Sequence, residues 1–532
     1  MPVWGGTAGQ ELRPFVAELI LVGTIVAVLL SAFWGKRSNA VAGVVSLGGI
    51  TLALVGLLVV RPTEAGEQFR GMLVSDNFAV LWKILLLVFT AGVVLMWFST
   101  TRVSMHEGDG PEFFTLLLGA CVGMCLMAST SNLLMIFMAV EMASLPSYVL
   151  AGFRKTDAVG SEASLKYVLF GAATSAVMVY GLSMLYGLFG TLQIEQMMSV
   201  GQRAMSGAGG VLLAVAMVGI IAGIGFKISA VPFHFWCPDV FEGAGVDVAA
   251  FLSVASKGAG LTLLLRIVMT IAHALGYGIP EHGREVLVSL AVVIGVMGAV
   301  TCTVGNTAAY VQTNIKRLLA YSSIAHAGYM LCILSLVIRG SSSAVSLAST
   351  AAQALLVYLA VYLFMNLGAF TVAGLIHRQT GSENIEDYAN LGRRNPLLAV
   401  CMAAFMFSLV GLPPFAGFGA KYLVMASLGA NGSWWWALVA MIGLNTVFSL
   451  FYYMRIVRMM FLVDNDKAEV ETGPLGTGLA LGCAAMLLVM LIAFQPVLNL
   501  AGKYSKLYLP ETRMINTEQA RMTNDQIRMT NQ

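Results

Sequence analysis

Long, unbroken apolar runs alternate with brief polar connections along almost the whole chain. Runs of about 20 mostly apolar residues, enough for a helix to cross a bilayer, begin near Phe15, Val41, Phe78, Phe114, Leu133, Lys166, Val211, Val248, Val286, Leu318, Ala351, Leu397, Trp435 and Leu475. The pattern predicts an all-α polytopic membrane protein with about 14 transmembrane helices. The runs are continuous where a barrel strand would alternate apolar and polar positions, which excludes an outer-membrane barrel. Short connections imply a compact bundle of neighbouring helices. The longest inner connection runs from Arg378 to Pro396 and carries mixed charge. The first apolar run has no basic stretch before it and is about 19 residues long, so it reads as a retained span and not a cleaved signal. The polar, repetitive text RMINTEQARMTNDQIRMTNQ ends the chain and is expected to be disordered.

Composition narrows the class further. Of 532 residues, 58% are hydrophobic and 11% charged, with a net charge of +3. A soluble domain carries roughly 25% charged residues, so an ordinary soluble enzyme is excluded. No basic block of the kind that binds nucleic acid stands out. The seven Cys are scattered with no C-x-x-C and suggest no metal site or disulfide framework. Basic residues are paired in alternate connections, at Lys36-Arg37, Arg154-Lys155, Lys316-Arg317 and Arg393-Arg394, with Arg102, Arg455 and Arg458 on the same side. The other connections hold isolated Arg61, Arg70, Arg203, Arg284 and Arg339. Basic residues stay in the cytoplasm, so both termini are expected on the outer side.

A few charges stand where lipid should be. A charge at mid-membrane costs about 2.5–3.5 kcal/mol on insertion scales and is retained for a reason. Glu141, Lys227 and Lys257 each have apolar residues on both sides; His326 lies within LLAYSSIAHAGYMLCIL and Lys421 closes SLVGLPPFAGFGAK. Lys166 opens the sixth predicted span and follows Glu162 by four residues, the spacing of a helix-surface ion pair. Lys83 and Lys316-Arg317 fit residues that anchor span ends, and Arg266 fits one that reaches an interface.

Two stretches break the helical pattern. Pro232 and Pro238 follow Lys227, and Pro413-Pro414, flanked by Gly411, Gly417 and Gly419, precede Lys421. Proline removes an amide donor and clashes with the preceding turn. Non-helical backbone at membrane depth survives only when buried in protein or lining a wet cavity. Two broken spans, each beside a Lys, are the mark of a transport path built from repeats. The breaks fall in the seventh and twelfth spans, so spans four to eight and nine to thirteen are expected to form two inverted five-helix repeats. The expected divisions are a three-helix segment over 1–110, the repeats over 111–280 and 281–465, a C-terminal helix over 466–505, and the tail over 506–532. Superposing Pro232-Phe233 on Pro414-Phe415 sets Lys421 opposite Asp239, not opposite Lys227.

These strings resemble a known family, the antiporter-like membrane subunits of respiratory complex I. The resemblance rests on FKISAVPFHFWCPDVFEGA (226–244), IKRLLAYSSIAHAGYM (315–330), LGRRNPLLA with SLVGLPPFAGFGAK, and Glu141 within MAVEMASLPSYVLAGF. The SSIAHAGY form and Lys421 look most like the subunit N branch of NADH:quinone oxidoreductase. One departure is AGVDVAAF (244–251), where the family has a Pro-containing stretch and this chain has Asp247.

The resemblance implies a proton-translocating subunit of the bacterial cytoplasmic (inner) membrane with no redox cofactor of its own. FMN, iron–sulfur clusters and quinone would belong to partner subunits, and other antiporter-like and small membrane subunits would flank it. It implies that Glu141 pairs with Lys227, that Lys257 and His326 continue a polar axis, and that Lys421 serves its far end. Chemistry supports that assignment: burial disfavours a charged amine and a nearby carboxylate favours it, so their relative position decides whether the amine keeps its proton. Subunits of multi-subunit cation/proton antiporters and of membrane-bound hydrogenases share the Glu and Lys pattern. A passive scaffold held together by buried charges is a third reading.

Overall fold

The computed structural model describes residues 12–33, 38–60, 65–101, 105–154, 157–197, 208–275, 281–338, 344–464, 470–505 and 507. The tail from 508 onward and the Lys36-Arg37 connection lie outside the described residues.

Among the described residues thirteen helices are long and apolar enough to cross a membrane, and two shorter helices in series make a further crossing. The early ones are α1 (Val16–Ser31), α2 (Asn39–Val59), α3 (Asn77–Thr100), α4 (Gly110–Met127), α5 (Leu133–Ala151) and α6 (Ala158–Phe189). The seventh crossing is α7 (Ala208–Ile228), followed by the short α8 (Trp236–Gly243). The eighth is α9 (Val246–Phe251) and α10 (Lys257–Leu275), joined by a π-helical stretch at Leu252–Ser256. Then come α11 (Glu281–Ala309), α12 (Ile315–Leu334), α13 (Ala344–Thr380) and the single turn α14 (Leu391–Arg394). The twelfth crossing is α15 (Pro396–Val410) with α16 (Ala416–Gly429); α17 (Ser433–Leu462), α18 (Pro474–Ile492) and α19 (Phe494–Tyr504) complete the chain.

Local chemistry sets the ends of these helices. The first amides of a helix lack intrahelical partners, and a side-chain oxygen just before it supplies one. Asp76, Asn132, Asp157, Asn314 and Asn395 do so for α3, α5, α6, α12 and α15. Asp157 starts α6 eight residues before the predicted opening at Lys166, so Lys166 lies two turns inside it. At one end of the bundle a hairpin, β1 (Gly66–Gln68) and β2 (Leu73–Ser75), pairs Glu67 with Val74. It bonds to the α4–α5 turn through Val74 N–H and the Ser129 carbonyl at 2.6 Å. This end is the hairpin face. The opposite end carries Arg154, Lys316, Arg317, Arg393 and Arg394 and is the basic face.

With no hydrophobic drive between helices in lipid, the polar spans occupy the middle of the bundle. All of the most apolar window in Val246–Ile271 is buried, and 89% of that in Ile315–Leu334, whereas only 28% of that in Ala158–Phe189 is. The helices that carry Lys257 and His326 are thus, together with α13, the most enclosed.

Candidate functional site

Both predicted breaks are present. Residues between Ile228 and Trp236 are non-helical and contain Pro232; residues between Val410 and Ala416 contain Pro413 and Pro414. Pro238 does not break the chain. It sits in the first turn of α8, where an amide has no intrahelical partner to lose. An unforeseen irregularity is the π-helical stretch that ends immediately before Lys257. Such an insertion re-aims the residues around it.

Lys227, Lys257, His326 and Lys421 are all buried, at 1%, 0%, 1% and 5% exposure. Lys227 closes α7 and its Nζ donates to Ser144 Oγ at 3.1 Å. Ser144 donates its own proton to the Val140 carbonyl at 2.6 Å, which leaves its lone pairs facing the amine. Glu141, one turn before Ser144, accepts from Ser175 Oγ. No direct ion pair joins Glu141 and Lys227 among the described residues. The carboxylate acts on the amine through space. Each of the two charged groups is held by a serine hydroxyl instead, Glu141 by Ser175 and Lys227 by Ser144.

The remaining groups follow one another through the bundle. The Lys227 stem lies against Gly260, where an added Cβ would come within 3.6 Å of the Lys227 Cβ, and Gly260 is one turn beyond Lys257. Lys257 Nζ lies 3.4 Å from Cys237 Sγ and over the Phe241 ring. His326 Nδ1 is 2.8 Å from the Tyr358 hydroxyl, and the Tyr362 ring is 5.1 Å from the imidazole. Lys421 Nζ donates to the Leu409 and Val410 carbonyls at 3.0 and 2.8 Å. These are terminal carbonyls of α15, left without amide partners by the break, and the negative end of the helix dipole favours a cation there. The Tyr329 ring lies 4.7 Å from the same amine.

Beyond Lys421 stands a network that the sequence reading missed. Asn306 donates to Tyr329 Oη, to Asn445 Oδ1 and to the Cys302 carbonyl, and accepts from Tyr452 Oη at 2.9 Å. Ser322 and Tyr453 share a hydrogen bond beside it. Its signal was present in the sequence: an Asn-Thr pair at 306–307 and another at 445–446, each inside an apolar run. An amide in a span needs a partner on another helix.

Lys166 stands apart, near the basic face. Its Nζ lies 2.8 Å from both Glu162 and Asp239, and Asp239 also binds Arg317, which binds Glu242 at 2.6 Å. Burial raises the proton affinity of Asp239, but the Lys166 and Arg317 bonds outweigh it and hold the carboxyl below its ordinary range. Asp239 and Glu242 sit on α8, so this cluster fixes the short helix after the first break.

Three residues read as anchors are buried ion pairs instead. Lys83 lies 2.6 Å from Glu18 of α1, and Lys316 lies 2.6 Å from Glu383 and donates to the Ala244 carbonyl. Arg266 is 1% exposed, binds Asp76 at 2.9 Å and donates to the Ala128 carbonyl. Each acidic partner comes from a distant stretch of chain, which is why periodicity alone did not reveal it. All seven Cys are buried and free. Among the described residues no group of His, Cys, Asp and Glu is arranged to hold a metal ion.

Buried amines beside two broken spans define a polytopic membrane protein with ionisable groups along its core. The comparisons with known proteins specify which kind. The family model described as NADH:quinone oxidoreductase/Mrp antiporter, transmembrane region, matches residues 130–449. NADH-quinone oxidoreductase subunit N of Anaeromyxobacter sp. (strain Fw109-5) is 42% identical over 501 residues, covering 90% of this chain and 92% of its own. A chain in the structure of respiratory complex I from Thermus thermophilus with bound aureothin matches with a TM-score of 0.73 and 31% identity, over 91% of this chain and 99% of that one. A chain of the Mrp complex from Dietzia sp. DQ12-45-1b shares the fold alone, with a TM-score of 0.76 at 18% identity, over 94% of this chain and 97% of that one. This chain belongs to the antiporter-like membrane-subunit family, in the subunit N branch of NADH-quinone oxidoreductases.

Proposed function

We propose that this chain is a proton-translocating membrane subunit of an NADH:quinone oxidoreductase. The carrying observation is the row of buried groups at Lys227, Lys257, His326 and Lys421, with Glu141 acting on Lys227 from beside it. Electron transfer from NADH to quinone takes place in partner subunits, which hold the FMN, the iron–sulfur clusters and the quinone. This chain supplies the ionisable side chains, and other membrane subunits flank it. A shift of Glu141 or of Ser144 changes how well charge on Lys227 is supported, and so whether the amine keeps its proton. The proton then passes by Lys257 and His326 to Lys421, whose backbone cradle holds the charged form. Lys166 contributes from the side, by fixing α8.

In this reading the chain spans a bacterial cytoplasmic membrane with the basic face inside and both termini outside. The repeats are 111–280 and 281–465, inverted relative to one another, with 1–110 and 466–505 as added helices and 506–532 as a tail. The likeness to an Mrp complex favours the antiporter alternative only at the level of fold. Purification of the tagged chain from native membranes tests the choice. The expected result is co-purification of an NADH-oxidising flavin and iron–sulfur arm, with NADH-driven proton uptake by reconstituted vesicles. A complex lacking such an arm would instead favour the antiporter.

A further inference from the structure

Asp247 has no place in the axis described above, yet it is 1% exposed and neither carboxylate oxygen has a hydrogen-bond partner. A buried polar group without a partner costs free energy, and a buried charge costs more, so this side chain needs water, a proton or both. It is the second residue of α9, at the basic face, in the same crossing as Lys257 and ten residues before it.

Its surroundings are polar enough to hold water. A Cβ added at Gly245 would lie 2.6 Å from Asp247 Oδ1 and 3.8 Å from Arg154 Nη2. The absent side chain thus lets the Asp247 carboxylate lie against the Gly245 backbone, on the side that faces Arg154. Arg154 is half-buried, and its guanidinium makes no hydrogen bond or ion pair among the described residues. Lys316 of α12 acts on Asp247 electrostatically but is committed to Glu383 and the Ala244 carbonyl. Other charged groups on the elements packed here are Glu242 of α8, His377 of α13 beyond Glu383, and Arg378 of α13, which donates to the Ser99 carbonyl of α3. The described end of α3 adds the hydroxyls of Thr100 and Thr101. A water needs two to four polar partners, and the Asp247 carboxylate and Arg154 guanidinium supply them.

The way inward is also marked. Between Asp247 and Lys257 the helix is π-helical, Ser253 and Ser256 are fully buried, and Ser256 Oγ has no partner. The Tyr167 hydroxyl is likewise buried and unpartnered.

We infer that Asp247 is a proton-loading site on the basic face, which takes protons from water on its half-buried Arg154 side and delivers them towards Lys257. The inference rests on the proton-translocating reading of the axis. In loading, an O–H bond of a hydrated proton breaks and one forms on a carboxylate oxygen. In delivery that bond breaks, the neutral Lys257 amine gains the proton through intervening hydroxyls or water, and the carboxylate is restored. Arg154 keeps the unloaded carboxylate soluble in its buried position without quenching it by direct contact.

The test uses the intact complex in proteoliposomes, with NADH-driven proton uptake and NADH oxidation by an artificial acceptor measured together. The wild type must pump first; if it does not, the proton-translocating reading fails and Asp247 is not at issue. In a pumping preparation, Asp247→Asn is expected to lower proton uptake about tenfold or more while oxidation with the artificial acceptor is unchanged. Small weak acids such as formate are expected to restore part of the uptake, and Asp247→Glu to restore it without them. Gly245→Ala, which keeps the carboxylate but presses a methyl group against it, is expected to slow uptake as well. Wild-type uptake in either Asp247→Asn or Gly245→Ala would overturn the assignment. So would a loss in Asp247→Asn that weak acids leave unchanged, because that is the behaviour of a structural charge. If Asp247→Asn fails to assemble, Gly245→Ala alone decides.

Discussion

At the scale of single residues, the decisive feature is that charges in this bundle are held by neutral groups as much as by opposite charges. Glu141 is bonded by Ser175 and Lys227 by Ser144, so each charge is held by a hydroxyl and influences the other without contact. Glu141→Gln keeps the shape and hydrogen bonding but no longer supports a charged amine. Each single change, Glu141→Gln or Lys227→Ala, is expected to cut proton uptake by about tenfold with assembly intact. The double variant should lose little more than either single one, and fully additive losses would show that the two act independently. A second residue-scale effect lies on the hairpin face, where Glu195 is half-buried beside Glu67. Burial, then the hydrogen bond and charge of Glu67, push its carboxyl up to about 8, against the opposing pull of Arg266. An ordinary Glu titrates near about 4.3, so between that pH and 8 the folded chain keeps a proton that the unfolded chain has lost. Stability from this group is present at low pH and is lost as pH rises through that window. Glu195→Gln is always neutral. Its unfolding temperature in detergent should match the wild type at pH 5 and exceed it at pH 9; an equal difference at both values would refute the assignment.

At the scale of elements, the second break depends on backbone approach. Gly411, at φ 87°, closes α15 in a conformation that L side chains rarely adopt, and Gly417 packs so tightly that an added Cβ would overlap the Ser408 carbonyl oxygen. The neighbour is backbone and has no rotamer to escape into. Gly417→Ala should therefore push α16 away from α15, move Lys421 off its two carbonyls and abolish uptake, whereas Gly478→Ala, on an open face of α18, should be silent. Proton uptake in matched preparations checks both, and normal uptake in Gly417→Ala would show that the cradle is not needed. The runs and the two Pro-rich breaks of these elements were legible in the sequence, because apolar run length and proline act locally. The π-helical stretch before Lys257 was not, since nothing in LSVAS differs from ordinary helix text. Pro238 misled for the related reason that proline in a first turn and proline in a break look alike until the helix start is known.

At the scale of the whole molecule, an even number of crossings puts the described ends of the chain on one side of the membrane, and the basic face on the other. A reporter enzyme fused after Gln532 is expected to read as external and one inserted at Arg394 as cytoplasmic; the reverse pattern would overturn the orientation. The sequence by itself determined that this is a many-spanned membrane protein, which spans are interrupted, and which buried amines break the apolar pattern. Those properties follow from the cost of placing polar groups in hydrocarbon, which acts residue by residue. Only the tertiary structure decided the partners. It took Lys83, Lys316 and Arg266 from expected anchors to enclosed ion pairs, separated Glu141 from direct contact with Lys227, and joined Asn306 to Asn445 across 139 positions. It also left Asp247 buried, charged neighbours near but not touching. A membrane span declares in one dimension that a charge is costly; what offsets the cost lies on another helix, and only packing says which.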